Sequence, residues 1–418
     1  MTECSRPWSP RGRGVSHRER EIGCGAGRIA GTSREPANGH VVRIALVHNL
    51  LRGGAHRRIA EQLPWIEACA AVDEYTLEGS NPVTSSPRVT PLRQLADHRS
   101  SLQKPIERYL DLARVEHAWR SLDQVVSDGR YDAVWLNPCR FLQAPPLREQ
   151  LLERTVYYCD EPNRQFYDPS ARGSTRRLTR PLYYGLNRRK QIKEVAVSQH
   201  VAVILTNSSY TASMIGRAFG RPAHVCHLGV SPRFELREEG APRTGVLSVG
   251  TLIPSKGHDL AIAALAAASD TRSLTIVAPR REIEEQARLQ RLSDELGVPV
   301  SFRFGVSDDE LIDLYRSTEL TLYLAKAEPF GLVSLEAQAS GSPVIVADEG
   351  GLPETVEGSP LGVAVARDRE SVASALQTQG LGLSADERIR LAQAVSDRWS
   401  WERSSGILAK EFVRVADR

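Results

Sequence analysis

Two glutamates, Glu328 and Glu336, stand eight positions apart in the stretch KAEPFGLVSLEAQASGSPVIVADEGGLPE, with Gly331 between them. Gly331 permits close backbone approach, and the helical pattern VSLEAQASG that follows offers the free amides of a first turn. Those amides and the helix dipole make an anion site. A diphosphate fits there. Glu336, inside the helix, is placed to accept hydrogen bonds from a vicinal diol such as a ribose, and Glu328, before the helix, from a sugar beyond the phosphates. Hydrogen bonds to a charged carboxylate contribute about 1.5 to 3 kcal/mol each. The plainer reading is an acid that complements a helix dipole and says nothing of function.

Upstream, VLSVGTLIPSKGHDL ends a strand pattern at Gly250 and puts Lys256 and Gly257 at the start of the next helix. A lysine there can neutralise a diphosphate as it leaves, the main electrostatic demand of glycosyl transfer from a nucleotide sugar. A solvated surface lysine is the alternative. After the first strand pattern, NLLRGGAHR offers Gly53 and Gly54 as a backbone loop, although a lone Gly-Gly is more often a turn.

The elements that must position these residues alternate. RIALVHN, YDAVWLNP, RTVYYCD and VAVILTNS read as buried strands, with HRRIAEQLPWIEACAAV as a helix after the first. A second series, from GVLSVG to PVIVAD, repeats the βαβαβ order. Unbroken apolar strands of this kind belong to parallel sheets covered on both faces. The chain therefore reads as α/β, two doubly wound Rossmann-like domains facing a cleft. We expect an N-terminal domain over residues 41–228, a linker over 229–243, a second domain over 244–398, and a last helix over 399–418 that packs across the cleft.

The chain has 418 residues, of which 41% are hydrophobic and 25% charged, as in ordinary globular proteins. No apolar run is long enough to span a bilayer. Residues 1–40 hold seven Arg and four Glu, so the net charge of +3 lies in that stretch and the remainder is balanced. This argues against nucleic acid as a partner. The stretch lacks apolar periodicity and reads as an unstructured extension, and the native chain is expected to begin near Val41 or Val42. Cys69, Cys139, Cys159 and Cys226 are too far apart for a zinc or thioredoxin motif and read as reduced thiols of a cytoplasmic protein.

The motifs RGGAHR, YYCDEPNRQFYD, LTNSSYTASMI, VGTLIPSKGHDLAIAAL, VSDDELIDLY, AEPFGLVSLEAQASGSPVIVADEGGLPE and WSWER, in this order, resemble family 4 glycosyltransferases, retaining enzymes of the GT-B fold. The likeness covers Arg43 to about Phe412, and the E-x7-E element around PFG is its most specific part. The resemblance implies transfer of a hexose from a GDP- or UDP-sugar with retained configuration, no cofactor and no obligatory metal. It implies that Glu336 binds the ribose, that Glu328 and the Phe330, Gly331 and Leu332 backbone meet the donor sugar and phosphate, that Lys256 meets the diphosphate, and that Gly54 abuts the donor.

Two positions depart from the family. Thr251 stands where an arginine is usual, so one of two expected diphosphate cations is missing. Asp160 stands where a histidine usually lies against the donor sugar; ionised, it accepts hydrogen bonds but donates none. Arg164 keeps its family position and is suited to an acidic acceptor or a phosphate. Residues Ala171 to Lys193 contain eight basic side chains and no acidic one, which from Arg172 onward suits an anionic membrane surface at the inner face, at about 1 kcal/mol per base. A solvated segment is the other reading. The acceptor is then a glycan or a lipid-linked sugar. Two alternatives remain open: a nucleotide-sugar-binding protein with lost catalysis at Asp160 and Thr251, or another GT-B enzyme such as a sugar-nucleotide epimerase.

Overall fold

The computed structural model describes residues 41–92, 104–164, 180–238, 240, 242–379 and 382–418. The first strand, β1 (Arg43–Asn49), is followed by helix α1 (Gly54–Glu67), strands β2 (Ala71–Leu77) and β3 (Arg88–Thr90), and the long helix α2 (Lys104–Asp128). Then come β4 (Ala133–Cys139), α3 (Glu149–Leu152), β5 (Thr155–Tyr158), α4 (Arg180–His200), β6 (Val203–Thr206), α5 (Ser209–Phe219) and β7 (His224–Val225). These strands form one parallel sheet in the order β3-β2-β1-β4-β5-β6-β7. Every residue of β4, β5 and β6 is buried, as unbroken apolar runs require when helices cover both faces.

The second sheet is parallel too, in the order β10-β9-β8-β11-β12-β13. Its strands are β8 (Val246–Val249), β9 (Leu274–Ala278), β10 (Val300–Phe304), β11 (Leu320–Tyr323), β12 (Val344–Ala347) and β13 (Gly362–Val365). Between them run α6 (His258–Ala267), α7 (Ile283–Leu296), α8 (Asp308–Ser317), α9 (Leu332–Ala339) and α10 (Leu352–Val356), and after them α11 (Arg369–Leu376). In both sheets chain order reverses beside the central strand, at β1/β4 and at β8/β11. The loops after those strands diverge there and leave a crevice.

One local expectation needs amendment. The first helix does not reach the AAV at the end of HRRIAEQLPWIEACAAV: it stops at Glu67, and Ala71–Leu77 is strand β2, running beside β1. The start of the expected linker packs against the rest of the molecule. The Val230 amide donates to the Trp399 carbonyl at 2.7 Å, and Phe234, in a 3₁₀ turn Pro232–Phe234, is buried beneath Tyr315. The end of the chain is two helices, α12 (Ala385–Arg398) and α13 (Trp401–Ala416). Trp399 leaves the helical conformation, and the Ser400 hydroxyl accepts from the Arg403 amide to start the second helix. Helix α13 buries Trp401, Leu408, Phe412 and Val415 against α1, β4 and β5 of the first sheet, so the chain ends in its N-terminal half. Residues 1–40 lie outside the described residues.

Candidate active site

Three of the loops predicted to carry chemistry leave the switch points. Gly53 and Gly54 follow β1, Lys256 follows β8, and Glu328 follows β11. Lys256 ends a 3₁₀ turn, Pro254–Lys256, and its methylenes cross Gly250. Its ammonium donates to Glu328 Oε2 at 2.7 Å and lies 5.8 Å from the centre of the Tyr323 ring. Gly257 makes the pairing possible. At φ +74°, a Cβ there would sit 2.3 Å from the Leu324 carbonyl oxygen. This ion pair crosses the β8/β11 crevice, the place where α/β sheets bind ligands.

Behind Glu328 the chain is held by backbone. The Gly351 amide donates to the Glu328 carbonyl at 2.8 Å, and the Ala327 backbone is left-handed at φ 48°. Phe330 turns inward, with its ring 5.6 Å from both His227 and Trp399, so only its backbone faces the site. Gly331 caps α9, whose free first-turn amides follow at Leu332. Glu336, one turn further, is buried; its Oε2 accepts from the Tyr315 hydroxyl at 3.2 Å. Its Oε1 accepts from Arg57 of α1, in the other half of the molecule, at 2.5 Å. A Cβ placed on Gly54 would meet no atom within 4 Å, which leaves open space in front of that loop.

Other contacts close the two halves against each other. The Ser208 hydroxyl donates to the Pro329 carbonyl at 2.5 Å, and Thr211 joins it at 3.3 Å. Glu354 of α10 accepts from the amides of Ser209 and Tyr210 at the start of α5, at 3.0 and 3.1 Å, and faces His227 at 3.0 Å. Burial alone would raise the Glu354 carboxyl, but the His227 hydrogen bond and those two amides bring it below its ordinary value.

Asp160, at the end of β5, does not present a free carboxylate. Arg58 holds both its oxygens, Nε to Oδ1 and Nη2 to Oδ2, each at 3.0 Å. That guanidinium is fully buried, lies 3.7 Å over the Tyr158 ring, and also donates to Asn137 and Gln62. Arg164 is at the cleft: it pairs with Glu161 and donates to the Ala327 carbonyl, beside Glu328. Burial, opposed by Arg164, leaves the Glu161 carboxyl above its usual range. Thr251 offers its carbonyl to the Ile253 amide at 2.8 Å.

Sequence reasoning missed Arg57, Arg58, Tyr315 and Glu354. A signal was present in HRR, two consecutive arginines in the opening turns of a helix with an apolar face. What they would meet lay about 100 and 279 positions away, beyond any local pattern.

This fold is GT-B. The described chain superposes on sucrose-phosphate synthase from Thermosynechococcus elongatus with a TM-score of 0.66 at 18% identity, over 89% of this chain and 98% of that one. It superposes on Anabaena HepE in complex with UDP and glucose with a TM-score of 0.62 at 16% identity, over 88% of this chain and 98% of that one. At such identities the likeness speaks for the fold alone. In sequence, residues 234–378 match the model described as glycosyl transferases group 1. Similar curated proteins are the D-inositol 3-phosphate glycosyltransferase of Acidothermus cellulolyticus, 35% identical over 44% of each chain. Another is the GDP-mannose-dependent alpha-(1-6)-phosphatidylinositol monomannoside mannosyltransferase of Mycobacterium tuberculosis, 31% identical over 51% of this chain and 62% of that one. The matches thus span between under half and about three fifths of those relatives' length.

Proposed function

We propose that this protein is a retaining hexosyltransferase that takes its sugar from a nucleoside-diphosphate donor bound between Lys256, Glu328 and α9, and passes it to an acceptor held by the N-terminal half. One observation carries the reading. The Lys256–Glu328 pair spans the β8/β11 crevice at one end of α9, and the buried carboxylate of Glu336 stands one turn along the same helix. The set supplies a cation for the leaving diphosphate, free amides for its oxygens, and carboxylates for hydroxyls at either end. No metal ligand is required by that chemistry: Lys256, the amides and Arg164 hold the anion.

GDP-mannose is the first donor to try, since a relative's name specifies it; UDP-glucose is the second, because HepE has been solved with UDP and glucose. A lipid-linked acceptor agrees with the name of the Mycobacterium tuberculosis relative, which specifies a phosphatidylinositol monomannoside; a glycan is the other candidate. The basic segment Arg172 to Lys193 would then rest on anionic lipid from the cytoplasmic side. Residues 172–179 of it lie outside the described residues. On α4, Arg189 and Lys193 are partly engaged by Glu116 of α2, at 2.7 and 3.4 Å, so Arg188 and the exposed Tyr184 and Ile192 carry the surface. Among the described residues no helix is long and apolar enough to cross a membrane.

A second reading, a nucleotide-sugar-binding protein without turnover, is favoured by Asp160, whose carboxylate is occupied by Arg58. Calorimetric binding of GDP and UDP, with donor hydrolysis and transfer assays, separates the two. Tight binding with no turnover toward any acceptor selects the binder, and no binding of either nucleotide refutes both. Within the enzyme reading, Glu336→Ala weakens nucleotide binding by about tenfold or more while Glu328→Ala chiefly lowers turnover. Unchanged nucleotide affinity in Glu336→Ala removes the ribose assignment.

A further inference from the structure

Glu336 is a costly residue to bury. Its side chain is 4% exposed, and an ionised carboxylate in such a place needs a counter-charge. The groups that face it, among the described residues, are Tyr315 and Asp308 on α8, Tyr323 on β11, and Arg57 on α1, with Glu61 behind Arg57. All but Arg57 are acids or phenols. The cation therefore comes from the other half of the molecule, and the ribose end of the donor site is complete only while α1 stands against α9.

Arg57 is prepared for this place. It belongs to the second turn of a helix capped by Gly53, with its own amide bonded to the Gly53 carbonyl at 2.9 Å. Its guanidinium lies 5.3 Å from the centre of the Phe234 ring, in the stretch that joins the halves. Nη1 reaches Glu336 Oε1 at 2.5 Å.

We propose that Arg57 is a positioning residue of the nucleotide site, which keeps Glu336 ionised and aimed so that a ribose diol meets a full carboxylate. This rests on the reading that Glu336 receives the ribose. The acceptor capacity fits: a carboxylate has about four lone-pair sites, Arg57 and Tyr315 occupy one on each oxygen, and one on each remains for the two vicinal hydroxyls. Burial already pushes the Glu336 carboxyl above its usual range, with Arg57 opposing. Without that guanidinium the proton is held more tightly. A protonated carboxyl turns one acceptor oxygen into a donor and loses the charge that strengthens the remaining bond.

The test is calorimetric titration of GDP and UDP, and of their 2′,3′-dideoxy analogues, into wild type, Arg57→Ala, Arg57→Lys, Glu336→Gln and the Arg57→Ala/Glu336→Gln double variant between pH 6 and 8.5. For whichever nucleotide the wild type binds, Arg57→Ala is expected to weaken binding about tenfold or more. The loss is greatest at pH 6, where the protonated fraction of Glu336 is largest, and shrinks toward pH 8.5. Arg57→Lys recovers most of the affinity, the dideoxy nucleotides do not respond, and Arg57→Ala costs nothing further on the Glu336→Gln background. An equal loss for the dideoxy nucleotides overturns the proposal, because it makes Arg57 a phosphate contact. So does wild-type affinity in Arg57→Ala. If Arg57→Ala folds poorly, the Arg57→Lys and Glu336→Gln arms carry the same comparison. A wild type that binds neither nucleotide refutes the donor-site reading itself, an outcome distinct from all of these.

Discussion

Asp160 shows how a mostly buried charge is absorbed by its neighbours. An aspartate at the end of β5 with its side chain largely shielded from water would be an unsatisfied charge unless a cation reached it. Arg58 does so with two parallel hydrogen bonds from a buried position. The aspartate is thus the partner of an arginine before it is anything to a sugar. Removing one member of such a pair leaves the other uncompensated, and Arg58→Met should cost about 3 kcal/mol in denaturant unfolding. Asp160→Asn added to Arg58→Met should recover much of that loss, because the stranded charge is gone. If Arg58→Met unfolds like wild type, the pair is not structural and Asp160 is free for substrate.

Close backbone packing as well as side chains holds the elements around the site. Two loops from successive βα units, Lys326–Gly331 and Glu349–Gly351, lie so close that Gly350 admits no side chain. Its φ is +69°, and a Cβ would meet the Glu328 oxygen at 2.3 Å and nitrogen at 2.7 Å. Gly350→Ala must therefore move Glu328 away from Lys256. A displacement of about 1 Å at a reacting centre costs up to roughly 100-fold in rate. Turnover of Gly350→Ala should fall on that order, measured by transfer or donor hydrolysis, while GDP or UDP affinity changes far less because Glu336 is on the other side of α9's first turn. Parallel losses in both would mean that the whole of α9 moved. The paired glycines were legible in EGGLPE, but nothing in that string says which backbone they accommodate.

Across the whole molecule, the chain's end decides how the halves relate. Helix α13 follows the second sheet in sequence and packs on the first, where Phe412 meets Trp135 edge-on with ring centres 5.8 Å apart. Phe412→Ala should cost about 3–5 kcal/mol, as other large core truncations do. Because α13 also touches α1 through Ser404 and Gln62, at 3.0 Å, the loss should appear as N-terminal-half unfolding by hydrogen exchange. Exchange confined to the second sheet would contradict that packing. Much of this architecture is determined by sequence alone. Apolar runs such as AVWL and VILT dictate buried parallel strands, and the βαβ order sets two wound sheets, with Lys256 and Glu328 in the loops after β8 and β11 and Glu336 in the helix that follows. These are short-range facts, carried by period, spacing and turn chemistry within some thirty residues. Which partners complete the site was decided by the tertiary structure. Arg57 beside Glu336 and Arg58 beside Asp160 are juxtapositions between distant segments, fixed by how the halves pack and by the high cost of burying a charge without its counter-ion.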